Sequence, residues 1–303
     1  MNIIRTKDLL QEACYASDDV HLMTDEERTR LQQHLLGMYK EIEAVCVKHD
    51  LTMMLAYGSV LGAIRHGGFI PWDDDLDLFM PRRDYELLIN EYADELPGHL
   101  KVYAPNCKNG TFGRFAKVID TKTKFIPAGV RDTGSPKQGI FVDIFPLDSI
   151  KKRPIRNKVS RFVCMALMYI GESVGRYRSD NTLFKKLMMH SPAARINFGM
   201  RQTIGFLFSF LSPRKWMDLV DSFCANENQT GYVSDLLGDY TWSPIPINEF
   251  FPPTKGEFEG QKVFLPHQSI KHLERYYGNW QQIPPEEDRW LHFIRNIKFD
   301  IND

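Results

Sequence analysis

The sequence predicts an α/β or α+β fold, and three observations carry that expectation. A long segment of helical period opens the chain, short apolar runs broken by glycine follow it as far as residue 150, and clustered prolines restrict regular structure beyond residue 245. With 303 residues, 43% of them apolar and 12% aromatic, the chain can bury one large core or two modest ones. Its formal charge of -1 argues against nucleic acid as a partner and makes the distribution of charge the better question.

Thr24-Asp25-Glu26-Glu27 has the form of a capping box, and Leu31, Leu35, Met38, Ile42 and Val45 follow at helical spacing. A helix over 25–48 is expected, the main element of an N-terminal helical segment at 1–50. Residues 52–56 read as a short buried strand, Gly58-Ser59 as a turn and 60–65 as a short helix. The run Asp73-Asp74-Asp75-Leu76-Asp77-Leu78-Phe79 reads as the next strand, and Pro81 opens a helix that reaches about Leu96. Runs at 101–104, 115–119 and 140–145 supply further strands, so a core is expected at 51–150.

From 151 to 216 Lys and Arg dominate, with Glu172 and Asp180 the only acids. Apolar runs at 162–170 and 204–211 interleave with those bases, which marks 151–245 as a basic helical region whose helices bury one face. The plain reading of its charge is a cationic helical surface, and the sharper one is a peripheral patch for anionic headgroups. Pro246, Pro252, Pro253, Pro266, Pro284 and Pro285 make 246–303 a loop-rich segment expected to wrap the core, apart from a helix over 267–277 stopped by Gly278.

Cys14, Cys46, Cys107, Cys164 and Cys224 are scattered and include no Cys-x-x-Cys pair, as expected of reduced thiols in a cytoplasmic protein. The opening segment reaches charge at Arg5, too early for a secretory leader, and no apolar run approaches the roughly 20 residues of a membrane span. Asn109-Gly110-Thr111 and Asn228-Gln229-Thr230 are therefore read as chance sequons. Dinucleotide, P-loop and His-Glu-x-x-His patterns are absent, as are a serine elbow and a credible cysteine–histidine pair.

On a strand, Asp73, Asp75 and Asp77 would share one face, roughly 6.6 Å between successive α-carbons, with Asp74, Leu76 and Leu78 on the other. Carboxylates drawn against an apolar edge need a counterion. Hard divalent cations suit this oxygen-rich set. Asp143, alone within Phe141-Val142-Asp143-Ile144-Phe145, reads either as a buried ion-pair partner or as a third metal ligand or base. Gly58-Ser59, at a strand-to-helix turn, can offer amides and a hydroxyl to a phosphate.

The block that runs from Tyr57-Gly58-Ser59 through Arg65-His66-Gly67-Gly68 to Trp72-Asp73-Asp74-Asp75-Leu76-Asp77 resembles the defining block of the LicD family, which includes phosphocholine transferases and the fukutin-related protein. Asp143 within Phe141–Asp148, Phe258-Glu259-Gly260, Tyr276-Tyr277-Gly278-Asn279-Trp280 and Pro284-Pro285 extend the resemblance, which is weakest over 151–245. It implies a nucleotidyltransferase-like mixed sheet flanked by helices. In that frame Asp75 and Asp77 bind Mg2+, or Mn2+ in its place, with Asp143 as third carboxylate and Asp73 in support, and Gly58 and Ser59 hold donor phosphates. Arg65 is a candidate for a donor phosphate or for a carboxylate that shapes the loop, Trp72 for packing under the acids, and Lys117 and Lys137 for further phosphate contacts. The cysteine-rich zinc element of the fukutin-related protein has no counterpart here.

The resemblance further implies a CDP-linked donor, such as CDP-choline or a CDP-polyol, and transfer of its phospho-alcohol to a hydroxyl of a cell-surface glycan or lipid-linked glycan precursor. The location expected is cytoplasmic, with peripheral contact at the inner membrane face. Alternatives are a nucleotidyltransferase acting on a sugar or small molecule, a catalytically silent glycan-binding protein of the same fold, and, more remotely, a glycosyltransferase with an Asp-x-Asp metal motif.

Overall fold

The computed structural model describes residues 6–111, 113–228, 230–238, 243–286, 289 and 291–301. Residues 1–5 of the opening segment and Gln229 of the second sequon lie outside them. Helix α1 (Thr6–Tyr15) and strand β1 (His21–Leu22) precede the long helix α2 (Asp25–Lys48). The capping box forms as read: the Thr24 hydroxyl accepts from the Glu27 amide and the Glu27 carboxylate accepts from the Thr24 amide. From that start α2 buries Leu31, Leu35, Met38, Ile42 and Val45 on one face.

The main sheet gathers β2 (Met54–Leu55), β3 (Asp77–Pro81), β4 (Leu100–Tyr103), β5 (Ala116–Asp120) and β7 (Phe141–Ser149) in the order β2-β3-β7-β5-β4. Helix α3 (Tyr57–His66) lies between β2 and β3, and α4 (Arg82–Leu87) follows β3, continuing through one π turn and one 3-10 turn to Glu95. Only β3 and β7 pair in parallel; the other neighbours are antiparallel, which makes the sheet mixed. One face packs Leu78, Met80, Val118, Val142 and Ile144 with the buried face of α2 in the largest core cluster.

Two expectations change here. The acidic strand begins at Asp77, so residues 73–76 form a loop and their side chains do not follow a pleat. The C-terminal segment holds more strand than its prolines suggested. Strands β10 (Thr254–Phe258) and β11 (Gln261–Leu265) make a hairpin, and β12 (Phe293–Lys298) sits between β1 and β6 (Lys124–Pro127) in a second sheet. None of these strands shows a clean period of two: Phe258 is the one large apolar residue of β10, Val263-Phe264-Leu265 run together in β11, and Phe293-Ile294 lead into Arg295-Asn296 in β12. Phe258, Val263, Leu265 and Ile294 nevertheless enter the main core, which holds this segment against it.

The basic region forms α5 (Pro154–Arg178), α6 (Thr182–Met188), α7 (Pro192–Leu207) and α8 (Pro213–Cys224), three of them with proline in the first turn. Strands β8 (Tyr232–Ser234) and β9 (Ile245–Pro246) extend from the Ser149 end of β7. Helix α9 (Ser269–Tyr277) stops where expected, with Gly278 at φ +59°. All five cysteines are buried thiols.

Candidate active site

Register builds the site. Asp77 on β3 pairs with Asp143 on β7, Asp143 with Lys117 on β5, and Lys117 with Tyr103 on β4, so four side chains from four strands stand in one row on one face. Lys117 Nζ lies 2.5 Å from Asp143 Oδ1 and 3.5 Å from the centre of the Phe141 ring. It therefore serves as the counterion of Asp143, and its charge is not free for phosphate in the way the sequence suggested. Lys137 is exposed and sits 4.8 Å from the Tyr103 ring. That is the far end of the row, roughly 14 Å from Asp77 at strand spacing, so the structure does not bring it to the acids.

The loop before β3 delivers the remaining carboxylates. One carboxylate oxygen each from Asp73, Asp74 and Asp75 lies within 4.8 Å of the others, and all three residues are half-buried. The pleat predicted that Asp74 turns away, and this is only half right: its Oδ1 is 2.6 Å from His292 Nδ1 on the C-terminal segment, yet it remains in the group. Burial, followed by the charges of Asp75 and Asp74, holds the Asp73 carboxyl well above the usual range, and burial with Asp75, Asp143 and Asp73 does the same for Asp77. Asp75 is pushed up to about 6, first by burial and then by Asp74. Burial also raises Asp143, against the pull of Lys117. The donor set is all carboxylate oxygen, with one lysine to balance the row. It fits a hard cation such as Mg2+ or Mn2+ and does not fit a soft metal that wants thiolate.

The glycine turn meets the acids directly. Helix α3 starts at Tyr57, so Gly58 and Ser59 occupy its first turn, and Ala56 provides no side-chain cap to that end. A β-carbon on Gly58 would stand 3.0 Å from Asp73 Oδ2, close enough to crowd the acid. Ser59 is buried and its Oγ accepts the Asp77 amide at 3.0 Å, fastening the helix start to the first residue of the strand. The hydroxyl thus positions Asp77 through a lone pair, and a hydroxyl that accepts one bond keeps its proton to donate.

Residues that sequence reasoning placed elsewhere hold the loop. Arg65 Nη1 donates to the Trp280 carbonyl at 2.8 Å, so it ties α3 to the C-terminal segment, and among the described residues it pairs with no carboxylate. Trp72 packs on the core with the Arg289 guanidinium 4.4 Å from its ring centre. Glu259, at the β10–β11 turn, accepts the Phe69 amide at 3.0 Å and donates its own amide to Gly67. A β-carbon on Gly68 would fall 2.0 Å from Glu259 Oε1, so a side chain there would displace the Glu259 carboxylate from the loop. Tyr277 was quoted in the sequence only as part of a motif. The residue as a whole is exposed, yet its hydroxyl is raised, first by desolvation and then by the charges of Asp77, Asp73 and Asp75. His292 carried no signal at all, since only the tertiary fold brings it to Asp74.

A family model described as LicD/FKTN/FKRP, nucleotidyltransferase domain, matches residues 50–162, the stretch that contains every one of these aspartates. That stretch is similar to a LicD-type nucleotidyltransferase domain. Over 265 residues it is 27% identical to the lipopolysaccharide cholinephosphotransferase LicD of Haemophilus influenzae, covering 86% of this chain and 93% of that protein. It is also 36% identical over 50 residues to an uncharacterised protein of Rickettsia prowazekii, covering 16% of this chain and 19% of that one. The similarity to the LicD protein extends well beyond the domain, into the C-terminal segment that supplies Glu259 and Tyr277.

Proposed function

We propose that the protein transfers phosphocholine, or a related phospho-alcohol, from a CDP-linked donor to a hydroxyl of a glycan or lipid-linked glycan precursor. The observation that carries this reading is the convergence of Asp73, Asp75, Asp77 and Asp143 beside the uncapped first turn of α3. The likeness over most of its length to a cholinephosphotransferase supports the choice of transferred group.

Asp75 and Asp77 would hold Mg2+ or Mn2+, with Asp143 and Asp73 completing the oxygen set. When bound, such an ion neutralises phosphate oxygens during transfer. The protein's own residues do the positioning. The Gly58 amide in the first turn of α3 faces the donor phosphates, the Ser59 amide being bonded to the Ala56 carbonyl, while Ser59 Oγ holds Asp77 in place and Lys117 keeps Asp143 oriented. The acceptor oxygen forms a bond to the phosphorus of the phospho-alcohol, the bond from that phosphorus to CMP breaks, and a carboxylate of the cluster takes the acceptor proton.

The test is to incubate the protein with Mg2+, candidate glycans and a panel of CDP-linked alcohols and to measure CMP. The expected result is release that depends on metal and acceptor, with preference for CDP-choline and none from Asp75→Asn. Free phospho-alcohol together with a cytidylylated acceptor, in place of CMP, would show attack at the other phosphorus and replace this reading with that of a nucleotidyltransferase.

A further inference from the structure

The first half of α5 shows its apolar side to solvent. Ile155, Val159 and Phe162 are 82%, 59% and 74% exposed, whereas Cys164 and Met168 on the opposite side are buried against α8 and the segment after β8. At 3.6 residues per turn the three exposed residues fall within about 60° of one another, with Arg156 on one flank and Lys158 on the other. Single exposed apolar residues are ordinary, but three large ones in register between cations are not.

Beside this stripe, at the Ser149 end of β7, lies a cavity of about 360 Å³ lined by Lys151, Arg153, Arg156, Asn157, Asn226 and Asn228 among others, with no acidic side chain among the described residues of its wall. Arg156 belongs to both the cavity and the stripe. The cavity is six residues along β7 from Asp143, roughly 20 Å, so it is separate from the acid cluster. Among the described residues no helix is long and apolar enough to cross a membrane, which leaves contact with a surface as the use of an exposed apolar stripe.

We propose that this face of α5 docks on an anionic lipid surface: Ile155, Val159 and Phe162 enter the acyl boundary, Arg156 and Lys158 meet the headgroup layer, and the Lys151–Arg153–Arg156 cavity takes one anionic headgroup. Charge selects the occupant. A second copy would press cation against cation, because 151–216 contains only Glu172 and Asp180 as acids and Glu172 is already taken up by Arg114 and Arg201. A phosphate-rich surface opposes this face with the complementary sign.

Flotation of the full chain with vesicles of phosphatidylglycerol and phosphatidylcholine, against phosphatidylcholine alone, tests the assignment. Expected are recovery with the anionic vesicles only, its loss at high salt, and at least a tenfold drop in bound protein for Ile155→Ser/Phe162→Ser and for Arg153→Glu/Arg156→Glu. All four side chains are on the surface or at the cavity wall, and an unchanged melting temperature would show that the variants fold. CMP release from a soluble donor and acceptor should be unaffected, so the docking and the proposed reaction fail separately. Equal recovery of wild type and both variants, equal binding to neutral vesicles, or a dimer in solution dispersed by Phe162→Ser would overturn the proposal.

Discussion

Strand β7 carries two buried aspartates five residues apart, on opposite faces, and their surroundings differ in kind. Asp148 is fully buried and receives Arg82 through two bonds, Nε to Oδ1 at 2.7 Å and Nη2 to Oδ2 at 2.8 Å, while Asn226 donates its amide to Oδ1. Arg82 also reaches Asp221 at 2.8 Å and Glu86 at 3.0 Å, so one guanidinium joins β7, α4 and α8. Asp143 receives Lys117, but the acids next to it receive mainly one another. Burial raises carboxyls in both places, Asp148 to about 6. What differs is the next contribution: Arg82 opposes the rise at Asp148, whereas neighbouring carboxylates add to it at Asp77. A buried acid whose oxygens are filled by donors is a strut, whereas a group of acids left to repel one another is what the proposed function would use to hold a cation.

Substitutions of the residues beside the two aspartates of β7, Asp77 on β3 and Arg82 on α4, should separate these roles. Asp77→Asn is expected to lower turnover at least about a thousandfold, the several kcal/mol a metal contributes at such a site, while the melting temperature holds or rises because a repulsive charge is gone. A large loss of stability would make Asp77 a structural residue. Arg82→Leu should do the reverse, costing about 3–5 kcal/mol by stranding Asp148 and Asp221; denaturant unfolding that shows less than about 1 kcal/mol would remove the strut from the comparison.

A smaller effect is expected from pH. The folded-state pKa of Asp75 is raised to about 6 from 3.8, so the folded protein binds more protons than the unfolded chain across that window, and the metal-free protein should lose stability as pH rises from about 4 to 6. Asp148 contributes with the same sign, but only the site should answer to Mg2+. Thermal melts are expected to show Mg2+ stabilising the protein more at pH 7 than at pH 5, a difference that Asp75→Asn abolishes. The smallest effect is expected at Glu259→Ala, which frees the Phe69 amide: half-saturation by Mg2+ should rise severalfold at nearly unchanged maximal rate. A fall in maximal rate alone would place Glu259 in the chemistry and not in the loop.

Much of this was legible before any coordinates. The capping box at Thr24, the apolar face of α2 and the short strands around Asp143 follow from local periodicity, which acts over a few residues. The acid run was visible as a group of charges in need of a partner. Its geometry was not, because a pleat assigned Asp73 and Asp75 to a strand where the chain makes a loop, and loop conformation depends on distant contacts such as Glu259 to Phe69. Arg65 and Arg82 illustrate the same limit. Both are arginines near the acids in sequence, yet one clamps the C-terminal segment and the other carries the strut, and nothing in their immediate neighbours distinguishes them.

Composition and short-range spacing were enough for the mixed α/β class and for the residues that concentrate negative charge, and the resemblance to the LicD family rests on the residues of the block from Tyr57 to Asp77. Tertiary structure decided the rest. Sheet register aligned Asp77, Asp143 and Lys117, packing of the C-terminal strands closed the loop over Gly68, and the docking of α5 left Ile155, Val159 and Phe162 outside. Each of these is a pairing between segments far apart in the chain, and whether a charge there meets a donor, another charge or water is settled only when those segments come together.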